Sequence, residues 1–321
     1  MRLTLYILLF LNCGTIFTQQ QIVTTNFIMN DYYYNPAITG SKDVHLANLA
    51  YRNQWTGFTD APVTLMGNFY GSVSNEGRHG YGVSVISDKT GLVQNTGFYI
   101  NYAYHLRLND KVKLGFGIKP GYVQYRVRLY DAQLADEGDA ILTGNILSAN
   151  AFDMHSGFNM YSDKFFFMGS IQHLLGDAVQ FTSYNENLEK HYTLIGGYNF
   201  NLEKKKIVIQ PSLMIKYVKP VPTQVVGMLK ATYDNKCWAG LTYRSNDAAG
   251  VCVGYKWNNK VTIGYGFDYS IGEIRQYQSG SHEIMLSFVT TPDRPTIDEE
   301  DEELNNSIMD EMQKKMKEED N

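Results

Sequence analysis

The residues best suited to chemistry are few: seven histidines and three cysteines in 321 residues, with one tempting run, Ser281-His282-Glu283. A hydrolase needs a Ser or Thr nucleophile in reach of a His base that a third group orients. If this run is a strand, successive side chains point to opposite faces, so His282 meets neither Ser281 nor Glu283. His155-Ser156 fails in the same way. Cys237 and Cys252 fall on neighbouring segments of opposite side-chain parity, which does not suit the Cα separation of about 4.4–6.8 Å that a disulfide needs. No CxxC and no clustered His/Cys spacing marks a zinc site. There is no phosphate loop or dinucleotide fingerprint. A net charge of −5 without a basic stripe leaves nucleic acid no footprint. These observations predict no catalytic, cofactor-binding or metal-binding residues, and a role in structure or binding.

The elements that carry these residues share a two-residue rhythm from about Leu46 to Val289. In the stretch 260–269, Val261, Ile263, Tyr265, Phe267 and Tyr269 alternate with Thr262, Gly264, Gly266 and Asp268. Period two marks a strand with different surroundings on its two faces, and apolar-out, polar-in patterning is that of a transmembrane β-barrel. No internal apolar run reaches the roughly 18 residues that a membrane helix needs. The pattern predicts an all-β fold, an antiparallel barrel of 14 strands near 46–55, 62–73, 79–88, 96–107, 112–128, 150–160, 164–173, 190–200, 206–218, 222–234, 236–245, 249–257, 260–270 and 281–290. Connections after even-numbered strands are short and rich in Asn, Asp and Gly, which tolerate left-handed turn geometry. All the long ones, about 129–149, 174–189 and 271–280, follow odd-numbered strands. Outer-membrane barrels have short periplasmic turns and longer external loops, so both ends of the chain are expected in the periplasm. A lipid-facing Lys costs about 2–4 kcal/mol at the midplane, which sends Lys113, Lys119, Lys216, Arg244 and Lys256 to the lumen, with Asp268. His173 then reads as a hydrogen-bonding residue of lumen or loop, and internal pairing of the charges is favoured over anion selectivity.

The two ends differ from this middle. Met1-Arg2 and the apolar stretch Leu3–Leu11 read as a signal peptide over 1–18, cut near Thr18/Gln19, and Asn12 argues against lipidation of Cys13. Residues 19–45 form a segment before the first strand, long enough to enter the lumen; residues 46–290 form the barrel. From Pro292 to Asn321 there are 12 acidic and 4 basic residues, a net −8 against −5 for the whole chain. The tail 291–321 is therefore expected to be solvated, with Leu304, Ile308, Met312 and Met316 forming a weak amphipathic helix. It reads either as a disordered tail with a transient helix or as a periplasmic docking peptide.

Several stretches carry a resemblance. Asn35-Pro36-Ala37-Ile38-Thr39-Gly40 precedes Tyr51-Arg52-Asn53-Gln54-Trp55-Thr56-Gly57-Phe58 and Ala61-Pro62; later come Asp88-Lys89-Thr90-Gly91, His173 in Gly169–Leu174, Arg244 in Tyr243–Asp247, and Ser281, His282 and Glu283 in Gly280–Leu286. The order of these motifs, from about Asn35 to Phe288, resembles the PorP/SprF family of the type IX secretion and gliding machinery. The resemblance implies an outer-membrane barrel of Bacteroidota that assists secretion or surface attachment of a large adhesin, in contact with type IX components and, in some members, a periplasmic peptidoglycan-associated lipoprotein. The acidic tail departs from the family, whose members end close to the last strand.

From the residues themselves, Asn35-Pro36 makes a turn, and Asp31–Tyr34 packs in the lumen or anchors at the interface. Trp55 and Phe58 anchor at the opposite rim or touch a partner. Loop aromatics Phe181, Tyr184 and Tyr277 are further partner-binding candidates, because buried aromatic anchors dominate many interfaces. The alternative function is a diffusion pore or small-solute transporter, which an open lumen would favour.

Overall fold

The computed structural model describes residues 22–42, 44–73, 78–128, 146–176, 178–180, 185–258 and 260–290; the signal-peptide region, the acidic tail, Phe181 and Tyr184 lie outside them. The strands are β1 (Leu46–Asn53), β2 (Val63–Ser72), β3 (His79–Thr90), β4 (Val93–Arg107), β5 (Lys113–Arg128), β6 (Ile146–Tyr161) and β7 (Phe165–Gln172), then β10 (His191–Tyr198), β11 (Phe200–Leu202), β12 (Ile207–Val218), β13 (Val221–Tyr233), β14 (Cys237–Arg244), β15 (Ala248–Trp257), β16 (Val261–Ser270) and β17 (Ser281–Val289). Between β7 and β10, β8 (Ala178–Gln180) and β9 (Asn185–Asn187) make a small separate ribbon. Each strand pairs antiparallel with its neighbour, and β1 closes on β17 from Leu46↔Val289 to Asn53↔His282. β10 and β11 are one stave interrupted at Asn199, both paired with β12, so the closed barrel has 14 staves, as the alternation predicts.

The two faces follow side-chain parity. On β5, Phe116, Ile118 and Tyr122 face out and are exposed, while Gly115, Gly117 and Lys119 face in and are buried. On β17, Ser281 and Glu283 point inward; His282 points out, where its Nδ1 meets the Tyr265 hydroxyl at 2.7 Å. The Ser-His-Glu run is split across the wall as expected. Cys237 is exposed and Cys252 buried, both free thiols. Turns at the short end use left-handed residues where tightness demands them, Asp234-Asn235 between β13 and β14 and Asn258 between β15 and β16.

The lumen is not a uniformly polar channel. Met66, Met168, Met214, Met228 and Met285 face inward and are buried. Met168, Met214 and Met228 pack with Val23, Phe27, Tyr32, Tyr34 and Ile38 of the segment before β1, while Met66 and Met285 form a second cluster against Ile22, Met29 and Tyr33. Methionine fits such irregular gaps because its side chain is unbranched and flexible. Period two identifies the inward face correctly, but these methionines are inside because a second layer of chain covers them.

Candidate functional site

That second layer is a plug. A single helical turn, Asp31–Tyr34, leads through Asn35 into a 3₁₀ turn, Pro36–Ile38. Asn35 uses its whole amide. Its Oδ1 accepts from the Ala37 amide at 2.8 Å, while its Nδ2 donates to the carbonyls of Phe158 (2.8 Å) and Gly169 (3.1 Å) on β6 and β7. Pro36 sits where the turn needs no backbone donor. Gly40 has φ +80°, the left-handed region, where a Cβ would stand 2.7 Å from the Gly80 Cα. Facing it on β3, Gly80 has no room either: a Cβ there would collide with the Thr39 carbonyl. The Asn-Pro-Ala-x-x-Gly motif is thus a capped turn seated on the glycines of the wall.

Lumen side chains hold the plug by its backbone, which must be satisfied once it is shut away from water. Asn101 Nδ2 donates to the Pro36 carbonyl at 3.0 Å, and His105 Nε2 lies 2.7 Å from the Thr39 carbonyl. Ser170 Oγ donates to the Tyr34 carbonyl (2.7 Å), and Gln172 Nε2 to the Tyr33 carbonyl (3.1 Å). Lys216 Nζ donates to the Ile22 carbonyl at 3.4 Å. Ile22 also packs against Ala50, Met66 and Met285, in the half of the barrel nearer the long loops, whereas β17 ends at the short-turn side.

A charged network fixes the other wall. Arg52 reaches Asp268 (2.7 Å) and Glu283 (3.2 Å), and Arg244 reaches the same Asp268 oxygen (2.9 Å) and Asp247 (2.8 Å). Glu283 accepts from the Thr25 amide at 2.8 Å and from Asn30 Nδ2 at 3.3 Å, and Arg52 donates to Thr25 Oγ1 at 2.9 Å. Two arginines and two carboxylates, all buried, therefore close strands β16, β17 and β1 onto the plug. Arg52, Arg244 and Glu283 stand out in the sequence motifs; Asp268, already assigned to the lumen, is the partner that joins both arginines. Internal pairing of the lumen charges is thus realised on this wall, while Lys119 stands over the rings of Tyr32 (4.4 Å) and Tyr99 (5.3 Å) with no hydrogen-bond acceptor among the described residues.

The remaining motif residues build the long-loop rim. Trp55 has φ +53° and donates its amide to Ser281 Oγ at 3.1 Å, and Gly57 follows with φ +97°. The Thr56 amide donates to the Gly280 carbonyl (2.8 Å) and the Ser279 amide to the Thr56 carbonyl (2.7 Å), so the loop after β1 and the loop before β17 form one edge. Phe58 and Tyr277 on these loops are exposed. Asp88 accepts from Thr64 Oγ1 at 2.6 Å, and Gly91, φ +59°, makes the tight turn from β3 to β4. His173, φ +55°, follows the last residue of β7 and sits with its Nδ1 2.9 Å from Asp153 Oδ2.

A sequence model described as type IX secretion system membrane protein PorP/SprF matches residues 16–288. The chain belongs to the PorP/SprF family. No curated protein matches it. Among solved structures, the P. putida toluene transporter TodX aligns with a TM-score of 0.50 at 8% identity, covering 80% of this chain and 93% of that one. A Pseudomonas aeruginosa FadL homologue gives 0.49 at 10% identity, over 80% and 93% of the two chains. At such identity the likeness shows the barrel fold alone. This PorP/SprF member is accordingly an outer-membrane β-barrel of a secretion system family.

Proposed function

We propose that this PorP/SprF barrel is a non-enzymatic partner of type IX secretion and gliding that helps to secrete a large adhesin or to hold it at the cell surface. The client is bound through the long-loop rim rather than passed through the lumen. The observation that carries this reading is the plug: residues 22–40 occupy the lumen through backbone hydrogen bonds to several strands. A filled lumen leaves the rim, with Trp55, Phe58 and Tyr277, as the surface for a macromolecule; Phe181 and Tyr184 belong to the long connection between β7 and β10. In this orientation the short turns and the end of β17 face the periplasm. The acidic tail then follows on that side, where it suits a basic surface on a peptidoglycan-associated lipoprotein.

The test is capture of the tagged protein from gently solubilised outer membranes, with mass spectrometry of what is retained. A very large secreted adhesin with type IX components is the expected result; a barrel that emerges alone even after crosslinking would overturn the reading. Deleting Gln180–Lys190 is expected to release the client while the barrel stays folded, and undiminished surface display would remove that loop from the interface. Removing Pro292–Asn321 is expected to weaken a periplasmic contact in a salt-sensitive way without blocking insertion.

A further inference from the structure

Opposite the Arg52 network, the wall made by β6, β7 and β10 carries a different group. Asp153 and His155 sit two residues apart on β6 and so share the inward face. His173 follows the last residue of β7, and His191 opens β10. A single carboxylate oxygen, Asp153 Oδ2, lies 2.9 Å from His155 Nε2, 2.9 Å from His173 Nδ1 and 3.0 Å from the Tyr99 hydroxyl. The three imidazoles stand in sequence, with ring centroids 5.5 Å apart between His155 and His173 and 5.3 Å between His173 and His191.

Two further facts separate this cluster from an ordinary buried hydrogen-bond network. His155 and His191 are each about 4% exposed, and the buried Nδ1 atoms of His155, His173 and His191 have no hydrogen-bond partner among the described residues, that of His173 although it lies 2.9 Å from Asp153 Oδ2. Buried polar atoms are nearly always paired, so unpaired imidazole nitrogens beside a shared carboxylate need an explanation. In addition, the potential ligand atoms of Asp153, His155 and His173 all lie within 4.8 Å of one another. Tetrahedral Zn²⁺ holds imidazole nitrogen at about 2.0–2.1 Å, which sets its donors about 3.3 Å apart. The carboxylate–imidazole separations therefore need to open by only a few tenths of an ångström.

We propose that Asp153, His155 and His173 bind a divalent transition-metal ion of the zinc class, with His191 beside His173 as the nearest further imidazole. Imidazole nitrogen with one carboxylate selects zinc-like ions over Mg²⁺ and Ca²⁺, which take oxygen shells. Placement gives the site a purpose. His173 and His191 stand at the two ends of the connection 173–190, and Asp153 and His155 are on the neighbouring long strand. The ion would staple the base of that external connection to β6. Lys119 on β5, in register with His155, has its ammonium over the rings of Tyr32 and Tyr99 and no hydrogen-bond acceptor among the described residues. A cation so near opposes metal binding, which makes Lys119→Met a diagnostic variant.

The full-length protein in detergent, stripped with chelator and dialysed, would be titrated with Zn²⁺ and separately with Co²⁺, reading metal content and the visible cobalt spectrum. One equivalent per chain is expected, with imidazole-ligated cobalt bands. His173→Ala, which alters a residue outside the paired strands, is expected to weaken binding at least tenfold; Lys119→Met is expected to strengthen it. His282→Ala on the outer face should change nothing. Heat-modifiable mobility on gels reports whether each variant is folded. Absence of stoichiometric binding by the folded protein, or affinity unchanged in folded His173→Ala and Asp153→Ala, would overturn the proposal. Weaker binding in Lys119→Met would also count against it, since an anion site would behave that way.

Discussion

Two walls of one lumen handle buried charge in opposite ways. Around β16, β17 and β1, two arginines face two carboxylates, and the plug's Thr25 and Asn30 add donors to Glu283. Around β6, β7 and β10, one carboxylate oxygen has a hydroxyl and two imidazoles close by, while imidazole nitrogens and the nearby Lys119 ammonium have no hydrogen-bond partner among the described residues. On the first wall each charged group has an oppositely charged partner, although Arg52 Nε, Arg244 Nε and Asp268 Oδ1 keep no hydrogen bond among the described residues. The second has unused donor capacity. Buried groups that lack partners weigh against stability, and the proposed ion would give His173 Nδ1 one. The contrast separates a structural lock from a site able to accept an ion.

The largest effect should come from breaking the lock. Glu283→Ala leaves Arg52 with a lost partner in the interior and removes the acceptor of Thr25 and Asn30; loss of one member of a buried pair costs about 3–5 kcal/mol. Urea unfolding of the lipid-reconstituted barrel would measure it, and a change near zero would mean that the network is idle. Next is the plug's seat. In Gly80→Val the new side chain collides with the Thr39 carbonyl, so residues 22–40 should become cleavable by added protease while the barrel remains intact. Continued protection would show that the wall, not the plug, gives way. Asn35→Ala strips a donor from the carbonyls of Phe158 and Gly169 and is expected to cost about 1–3 kcal/mol. The smallest effect belongs to the opposite wall. His191→Phe keeps a ring against His173 and, in chelator, should shift stability by less than about 1 kcal/mol. A cost matching that of Glu283→Ala would erase the distinction between the walls.

Most of the barrel was legible because lipid and lumen impose period two on every stave: Phe116, Ile118 and Tyr122 against Gly115, Gly117 and Lys119 leave no other register. The same parity correctly dissolved the Ser281-His282-Glu283 run. Plug seating was only half visible. The length before β1 allowed entry, but nothing local to Asn35 says that its amide will meet carbonyls more than 120 residues away. The histidine cluster was hidden for the same reason. Asp153 and His155 share a face by spacing, yet His173 and His191 join them only because β7 and β10 are neighbours. The ribbon β8–β9 gave no signal either, since three-residue strands are too short for alternation to register.

Ion conductance of the purified full-length protein in planar bilayers is the most direct test of a lumen closed by its own chain. The filled lumen predicts almost no current, with conductance appearing in Gly80→Val as the plug is displaced. Large, steady, selective conductance through the unmodified protein would contradict a plugged lumen and favour a diffusion pore.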